Sequence, residues 1–397
     1  MRSNILFIHG GGPTAVINCS LWGVISEAGR HGELEHLYAA VGGTGGFLRE
    51  QLTDLRDVSE DELARLCSTP GSAIGTSRDA LEEADYHRMA DLADKYGLKY
   101  IVMNGGNGTM DACARLNEAC RGRGIGVIGL PKTMDNDLMH TDHTPGYGSA
   151  AKYIAASMQE ILRDCAVYTV KAVTIVEIMG RDAGWLTTSA SLGRLANGQE
   201  PDLVYLPEKP FCMDEFIEST KKALEKHPNV VVAVSEGIRF ADGTYVGAGA
   251  QSGVKDVFGH QYLAGTGKAL EYAVRERIGC KVRSVELNVS QRCAAHLVSA
   301  ADIAESVAIG RAAALAAEQG ESGKMMLYKR VSQVPYAYEI DCADVHEIAN
   351  KIKRVPDEYI NEQHNGITDA CLEYLRPLVE GERYPKYVCG LPEQVIL

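Results

Sequence analysis

Residues 131–137, Pro-Lys-Thr-Met-Asp-Asn-Asp, hold an ammonium, a hydroxyl and two carboxylates within six consecutive positions, and we call them the acidic loop. In an extended backbone Asp135 and Asp137 would point to the same side, because side chains alternate with a period of two. A carboxylate close to a like charge and to Lys132 could take a proton from an alcohol while a phosphoryl group is transferred to it. The same residues also fit a polar loop that carries a salt bridge.

Two glycine-rich turns lie upstream of the acidic loop. Residues 10–15 read Gly-Gly-Gly-Pro-Thr-Ala and residues 105–109 read Gly-Gly-Asn-Gly-Thr, and each turn follows an apolar run. Consecutive backbone N–H groups at the start of a helix can hold a phosphate. Neither turn is a G-x-G-x-x-G fingerprint or a Walker A loop, which argues against an NAD domain and against an ordinary P-loop NTPase.

The elements that must position these residues are apolar strands that alternate with amphipathic helices. Pro131 ends the apolar run 127–130, so the acidic loop leaves the sheet at the carboxyl end of a strand, where open α/β sheets bind ligands. The pattern predicts doubly wound, mainly parallel sheets. Strands are predicted at residues 5–9, 100–104, 127–130, 172–178, 203–206, 230–234 and 281–287. Helices are predicted at residues 147–165, 214–227, 261–277 and 300–318, and a glycine-rich loop or lid at 241–259.

Composition excludes several classes of protein. A chain of 397 residues with 45% hydrophobic content is long enough for two domains with full cores. No apolar run reaches the length of a membrane span, and a formal charge of −13 disfavours nucleic acid as a partner. The eleven cysteines form no C-x-x-C pair, and the first residues lead directly into a strand rather than a signal peptide. We therefore expect a cytoplasmic protein.

Six motifs, in order, resemble those of the phosphofructokinase family: GGGPTAVIN, GSAIGTSR, GGNGT, PKTMDND, IMGR and SEG. The resemblance extends to about residue 345, and GGGPTAVIN and TPGYGSAAKYIA look closest to the bacterial branch that contains pyrophosphate-dependent enzymes. It implies an enzyme that phosphorylates the 1-hydroxyl of D-fructose 6-phosphate, with Mg²⁺, to give fructose 1,6-bisphosphate.

The resemblance also implies two Rossmann-like domains with the active site in the cleft between them. We predict a donor-binding domain at residues 1–146, completed by 291–345, and a fructose-phosphate-binding domain at 147–290. Residues 346–397 are predicted to form a C-terminal extension with structural or assembly duties.

By resemblance, Asp135 is the base, and Lys132 and Arg181 share the catalytic work. Guanidinium groups suit phosphate recognition, and some arginines of this family reach in from a neighbouring subunit, which implies at least a dimer. The sugar-phosphate candidates are Thr133, Asp135, Asp137, Met179, Gly180, Arg181, Glu236, Arg283 and Arg292. The candidates for the donor are Gly11, Gly12, Arg78, Gly106, Asn107, Gly108 and Thr109, and Asn107 is also the candidate magnesium ligand.

Three positions depart from the family pattern. Asn107 stands where an aspartate is usual near magnesium, so weaker metal binding is expected. Ala172 replaces a basic residue that makes a contact between subunits, and Val289 replaces a histidine near the last phosphate arginine. These departures also leave open a non-catalytic regulatory subunit.

The phosphoryl donor is indicated by two positions that disagree. Pyrophosphate-using relatives carry a carboxylate at position 108, whereas Gly108 leaves the space for an ATP α-phosphate open. Lys132, in contrast, is typical of the pyrophosphate-using relatives. A carboxylate that blocks the α-phosphate excludes ATP more strongly than an additional lysine does. Because position 108 carries no such carboxylate, we predict ATP as the donor and pyrophosphate as the alternative. NAD and lipid kinases share a similar glycine turn, but that reading leaves the acidic loop and the Met-Gly-Arg motif without a role.

Overall fold

The computed structural model of the protein describes residues 3–28, 30, 34–250 and 265–397. Two β-sheets form its framework, one of seven strands and one of four, and a two-stranded ribbon follows near residue 390. The strands are β1 (Ser3–His9), β2 (Leu34–Ala40), β3 (Leu52–Asp54), β4 (Leu98–Gly105), β5 (Gly126–Pro131), β6 (Ala172–Ile178), β7 (Leu203–Tyr205), β8 (Asn229–Ser235), β9 (Lys281–Glu286), β10 (Lys324–Gln333), β11 (Tyr336–Asp344), β12 (Tyr387–Val388) and β13 (Leu391–Pro392).

Helices connect most of the strands and cover the faces of both sheets. None of the helices in the described ranges combines the length and the apolar character needed to cross a membrane. The helices are α1 (Ile17–Ala28), α2 (Gly43–Leu48), α3 (Glu60–Arg65), α4 (Glu83–Lys95), α5 (Asn107–Ala119), α6 (Tyr147–Cys165), α7 (Trp185–Thr188), α8 (Gly193–Asn197), α9 (Met213–Lys226), α10 (Thr266–Arg277), α11 (Ala300–Glu318) and α12 (Asp369–Leu375).

The seven-stranded sheet has the order β11-β10-β5-β4-β1-β2-β3 and is parallel except at its two edge strands. Alternate residues of β1 enter different cores, as the two-residue period of a strand requires. Leu6 and Ile8 pack with residues of α4 and α5, whereas Ile5 and Phe7 pack with residues of α1 and α11. The sheet is thus covered by helices on both faces, and the strands end at a common edge.

The four-stranded sheet has the order β7-β8-β6-β9, and all its strands are parallel. Val173 and Ile175 of β6 pack with residues of α9 and α10, whereas Val176 and Ile178 pack with residues of α6 and α12. The predicted α/β fold with mainly parallel sheets is therefore confirmed.

The sequence predicted most elements near the site to within two residues. The predicted helix 147–165 and the predicted strand 172–178 coincide with α6 and β6. The antiparallel hairpin of β10 and β11 was not predicted, nor were β2 and β3. The predicted lid at 241–259 and the start of the predicted helix at 261 fall partly or wholly on residues 251–264, outside the described residues.

The C-terminal extension contacts a strand of the four-stranded sheet and packs against the core of the seven-stranded sheet. The Asn365 carbonyl accepts a hydrogen bond of 2.9 Å from the backbone N–H of Val204 in β7. At the other end, the N–H of Leu397 donates to the carbonyl of Ala73 at 2.7 Å, close to the first glycine-rich turn. The extension thus spans the molecule rather than adding a separate layer.

Candidate active site

The acidic loop leaves β5 through a tight turn rather than an extended segment. Asn136 adopts a left-handed conformation with φ of 54°, and the Thr133 hydroxyl accepts a hydrogen bond of 3.1 Å from the Asp135 N–H. The expectation that Asp135 and Asp137 share a side through extended alternation is therefore wrong. Both carboxylates nevertheless line the same cavity, because the left-handed residue between them redirects the backbone.

Burial makes the carboxyl groups of this cavity unusually basic. It raises the pKa of Asp135, and the nearby Arg292 and Lys132 oppose that rise only in part. Burial, followed by repulsion from Asp135, raises the pKa of Asp137 to about 7. Burial also raises the pKa of Glu236 to about 7, against a hydrogen bond from Gly180. A buried carboxylate of raised pKa is suited to accept a proton near neutral pH.

Lys132 connects the acidic loop to the first glycine-rich turn. Its side chain is buried, and its Nζ donates a hydrogen bond of 2.6 Å to the Gly12 carbonyl. Burial lowers its pKa to about 8, although the charge of Asp135 acts in the opposite direction. The ammonium is therefore fixed in place, and its charge is sensitive to mildly alkaline pH.

The first glycine-rich turn brings two guanidinium groups to the cavity. The N–H of Gly11 donates to the Ser77 carbonyl at 3.0 Å, which fixes the turn beside Arg78. A Cβ on Gly12 would lie 3.4 Å from Arg78 Nη2 and 3.6 Å from Arg292 Cζ. Bare backbone at Gly12 therefore allows two cations to approach the end of this turn closely.

The second glycine-rich turn packs against the first. A Cβ on Gly10 or Gly105 would lie 2.3 Å or 2.1 Å from Thr109 Oγ1, so the two glycines make room for this threonine. Thr109 thus joins the two turns. A Cβ on Gly106 would lie 3.5 Å from the Lys132 carbonyl, whereas one on Gly108 would have nothing within 4 Å.

The opposite wall of the cavity is built from the carboxyl ends of β6 and β8. Gly180 has φ of 140°, and a Cβ there would lie 2.7 Å from the Ala183 carbonyl, so only glycine fits this turn. Its N–H donates to Glu236 Oε1 at 3.2 Å. Met179 and Arg181 on either side of Gly180 both line the cavity.

The cavity has a volume of about 700 Å³ and draws its walls from both sheets. Three arginines and six carboxylates surround it, so it can hold an anion at the arginines and accept a proton at the carboxylates. Its charged lining residues are Arg78, Asp135, Asp137, Glu177, Arg181, Asp182, Glu236, Glu286 and Arg292.

Comparison with known proteins identifies the family. A family model described as phosphofructokinase matches residues 4–316. The chain belongs to the phosphofructokinase family. It is accordingly a phosphotransferase that acts on an alcohol group.

The relatives of this phosphofructokinase family member extend over its full length. It is 38% identical to the pyrophosphate–fructose 6-phosphate 1-phosphotransferase of Methylococcus capsulatus, over 99% of the chain and 96% of the relative. It is 36% identical to the protein of the same name from Halomonas elongata, over 99% of the chain and 95% of the relative. The structure of a pyrophosphate-dependent phosphofructokinase from Nitrosospira multiformis superposes with a TM-score of 0.89 at 34% identity, covering 100% and 96% of the two chains.

Most of the predicted site residues lie in or beside the cavity, but Arg283 does not. Arg283 lies in β9, outside the cavity, where its guanidinium is 3.3 Å from Asp164 of α6. The reason is its position in the middle of the strand, away from the carboxyl end that faces the cavity. Two departures from the family pattern, at Ala172 and Val289, also lie in different places. Ala172 begins β6 at the end opposite Met179 and is outside the cavity, whereas Val289 lines it.

The sequence-based prediction missed three acidic residues that line the cavity, Glu177, Asp182 and Glu286. Glu177 and Glu286 are register partners at the ends of β6 and β9, and both line the cavity. Burial, opposed by a hydrogen bond from the Gly267 N–H, raises the pKa of Glu177 to about 6. A charged residue at the end of an apolar strand was the available signal for Glu177, whereas β9 also carries lysine, arginine and serine, so no such signal marked Glu286.

The residues present fit a magnesium ion that keeps water and phosphate as most of its ligands. The Asn107 Oδ1 is buried without a hydrogen-bond partner, and its Nδ2 lies 3.5 Å from Asp137 Oδ2. Mg²⁺ is usually bound through one or two carboxylates together with substrate phosphates. Within the described ranges, no group of three or more His, Cys, Asp or Glu residues could hold a metal unaided.

Proposed function

We propose that the protein transfers a phosphoryl group from pyrophosphate to the 1-hydroxyl of D-fructose 6-phosphate, reversibly, giving fructose 1,6-bisphosphate and phosphate. The observation that carries this proposal is the full-length similarity to relatives named for this reaction, at 36% and 38% identity. The geometry supports it, because Lys132 and Arg78 at the first glycine-rich turn offer two cations to a small, highly charged donor.

Asp135 is the base in this proposal. It accepts the proton of the sugar 1-hydroxyl as the new bond forms between that oxygen and the terminal phosphorus. The bridging oxygen bond of pyrophosphate breaks, and the leaving phosphate retains the electron pair. Lys132, fixed on the Gly12 carbonyl, stabilises the charge that develops on the leaving phosphate.

The remaining residues orient the two substrates. Glu236 accepts a hydrogen bond from the Gly180 N–H, next to Arg181. Glu236 would bind the sugar hydroxyls, and Arg181 would stabilise the charge that develops on the transferring phosphoryl group. Arg292 would bind the 6-phosphate, and Thr133 would contact the transferring group. The donor would lie against Gly11, Gly12, Gly106, Gly108 and Thr109.

Magnesium, when bound, neutralises charge on the donor phosphates. Asn107 and Asp137 would hold it from the protein side, through the free amide oxygen and the carboxylate. We also propose residues 1–146 with 291–345 as the donor-binding domain and 147–290 as the sugar-binding domain.

ATP remains the second candidate donor. The open space at Gly108, where a Cβ would meet nothing within 4 Å, favours it. The prediction of ATP from the sequence is less well supported than pyrophosphate, because the full-length relatives are named for pyrophosphate.

The test is a coupled assay that contains fructose 6-phosphate, Mg²⁺ and either donor. Turnover with pyrophosphate at least tenfold above that with ATP is expected. A preference for ATP would replace the proposed donor, and no product with either donor would favour a regulatory subunit. The reverse reaction, with fructose 1,6-bisphosphate and phosphate, should proceed at a comparable rate.

We further propose that the enzyme acts in the cytoplasm as at least a dimer. All eleven cysteines lie in the described ranges and are free thiols, which suits a reducing compartment. Arg283 would then serve the cleft of a second copy. Size-exclusion chromatography with light scattering measures the assembly directly.

A further inference from the structure

The segment at residues 350–355, which we call the strap, crosses from the seven-stranded sheet to the acidic loop. The Lys353 N–H donates to the Asp137 carbonyl at 2.8 Å, and the Lys351 carbonyl accepts from Asn107 Nδ2 at 3.0 Å. The strap therefore touches the backbone of one candidate carboxylate and the side chain of the candidate metal ligand.

All three N–H donors of the Lys353 ammonium are hydrogen-bonded to neighbouring backbone and side-chain oxygens. Its Nζ donates to Asn136 Oδ1 at 3.1 Å, to the Thr141 carbonyl at 3.0 Å and to the Asp142 carbonyl at 2.8 Å. An ammonium has three donors, so none is left unpaired. The group also lies 5.0 Å from the centre of the Trp185 ring, and Trp185 Nε1 donates to the Lys353 carbonyl at 2.9 Å.

Asn136 is the residue that these contacts hold. Its φ of 54° is uncommon for a residue with a Cβ, so other contacts must hold it in this conformation. The Asn136 side chain is fully buried, and its Nδ2 donates to Tyr374 Oη at 3.0 Å. Lys353 and Tyr374, both from the C-terminal extension, thus hold both ends of one amide.

The strap also explains why position 107 carries an amide. Asn107 Nδ2 faces two acceptors, the Lys351 carbonyl and the Asp137 carboxylate. An aspartate at this position would have no N–H to offer and would repel both. The departure from the family pattern is therefore matched by a partner in the strap.

We propose that Lys353 is a positioning residue that holds Asn136 in its left-handed turn and thereby aims Asp135 and Asp137 at the substrate. The proposal rests on the proposed function for its kinetic consequence but not for its structural one. Misplacing a catalytic group by about 1 Å costs roughly 10²-fold in rate. Without the ammonium, Asn136 could leave its left-handed conformation. The Asp135 and Asp137 carboxylates would then no longer both point into the cavity.

The first test compares Lys353→Met with Lys386→Met, which removes the same charge from an exposed position of the same extension. We expect Lys353→Met to lower kcat by roughly 10²-fold while KM for fructose 6-phosphate changes less than about threefold. Lys386→Met should match the wild type. A wild-type kcat in Lys353→Met would overturn the proposal.

The second test is amine rescue of Lys353→Ala. Ethylammonium should restore kcat at least tenfold, because it can donate to the same three oxygens, whereas tetramethylammonium, which has no N–H, should not. Equal effects of the two cations would show that only charge or ionic strength matters and would overturn the proposal.

The third test does not depend on activity. Hydrogen exchange of the peptide that covers residues 132–142 should be at least tenfold faster in Lys353→Met than in the wild type, with exchange of β1 unchanged. If the wild type turned over no sugar phosphate, the proposed function would fail, but this exchange comparison would still decide the positioning role. Unchanged exchange in residues 132–142 would contradict it.

Discussion

Asp135 is the residue on which the proposed chemistry depends. We predict that Asp135→Asn lowers kcat by 10²–10⁴-fold or more, because the amide cannot accept the proton of the sugar hydroxyl. The dissociation constant of fructose 6-phosphate, measured by calorimetry, should change less than about threefold, since other groups bind the sugar. Asp214→Asn, on the exposed face of α9, is the matched control. A kcat within a factor of three of wild type would remove Asp135 from the role of base.

The pKa values of the site predict a narrow bell-shaped profile of kcat/KM against pH. Activity should rise as the carboxylates lose protons near pH 7, since burial raises the pKa of Glu236 to about 7. It should fall as Lys132, whose pKa burial lowers to about 8, loses its charge. The acid limb belongs to the interacting carboxylates together.

Lys132→Arg tests the alkaline limb, because a guanidinium stays charged in this range. The limb should move up by at least one pH unit, whatever the loss in absolute rate. Lys222→Arg, on the exposed face of α9, should leave the profile unchanged. An alkaline limb that stays near pH 8 in Lys132→Arg would assign it to another group.

The residue types of the site were readable from the sequence, but their geometry was not. The acidic loop alone indicated a base, a cation and a hydroxyl, because these groups are close together in the sequence. The left-handed turn at Asn136 was not predictable, because it is enforced by Lys353 more than 200 positions later in the chain. The pairing of Glu177 with Glu286 likewise required the register of β6 and β9.

Among the secondary-structure elements, the first turn of α5 is the one that can distinguish ATP from pyrophosphate as the donor. Gly108 is exposed there, and a Cβ would meet nothing within 4 Å. We predict that Gly108→Asp raises the inhibition constant of ATP against pyrophosphate at least tenfold, about 1.4 kcal/mol, through repulsion of the α-phosphate. Turnover with pyrophosphate should change less than about threefold.

Gly108→Ala is the matched control, because it adds a Cβ without a charge. Its inhibition constant for ATP should stay within about threefold of the wild type. An unchanged constant in Gly108→Asp would mean that ATP does not approach this turn at all, and the sequence-based argument for ATP would then fail.

The elements that the sequence missed share a physical cause. The helical period of α6, which buries one face, and the continuous apolar run of β6, which buries both faces, allowed these two elements to be predicted to the residue. The hairpin of β10 and β11 alternates between half-buried and exposed positions in its outer half, which weakens the two-residue pattern. The strap has neither helix nor strand over residues 350–355, so only its contacts reveal its role.

At the scale of the whole molecule, a buried charge network joins α11 to the segment after the acidic loop. His143 lies between Asp142 at 2.9 Å and Glu305 at 2.6 Å, and its ring stacks on Tyr328. Burial opposes the charged imidazolium, but the two carboxylates outweigh it and raise the pKa of His143 to about 9. The stability that charged His143 gains from Asp142 and Glu305 is fully present below the usual histidine pKa and is lost as pH rises through about 9.

Glu305→Gln should therefore destabilise the protein in a pH-dependent way. We predict a loss on the order of 3 kcal/mol at pH 6, because one partner of a buried pair is removed. The loss should be smaller at pH 9.5, where His143 of the wild type is largely neutral. Thermal midpoints at the two pH values, with exposed Glu225→Gln as control, measure the difference. An equal loss at both would contradict the linkage.

The placement of Arg283 leads to a prediction about assembly. Its guanidinium is paired with Asp164 outside the cavity of its own chain, so a role in sugar-phosphate binding requires a second copy. If each cleft combines Asp135 of one copy with Arg283 of its neighbour, Asp135→Asn and Arg283→Ala should each be nearly inactive alone. Mixed oligomers of the two variants should regain activity, because a single copy of each chain then restores one intact cleft.

The size of the recovery follows from counting clefts. Random pairing of equal amounts makes half of the dimers mixed, and each mixed dimer has one intact cleft of two, so about a quarter of wild-type activity is expected. A mixture that was never dissociated and reassociated is the control and should stay inactive. If reassociated mixtures also stay inactive while light scattering shows an oligomer, Arg283 does not serve a neighbouring cleft.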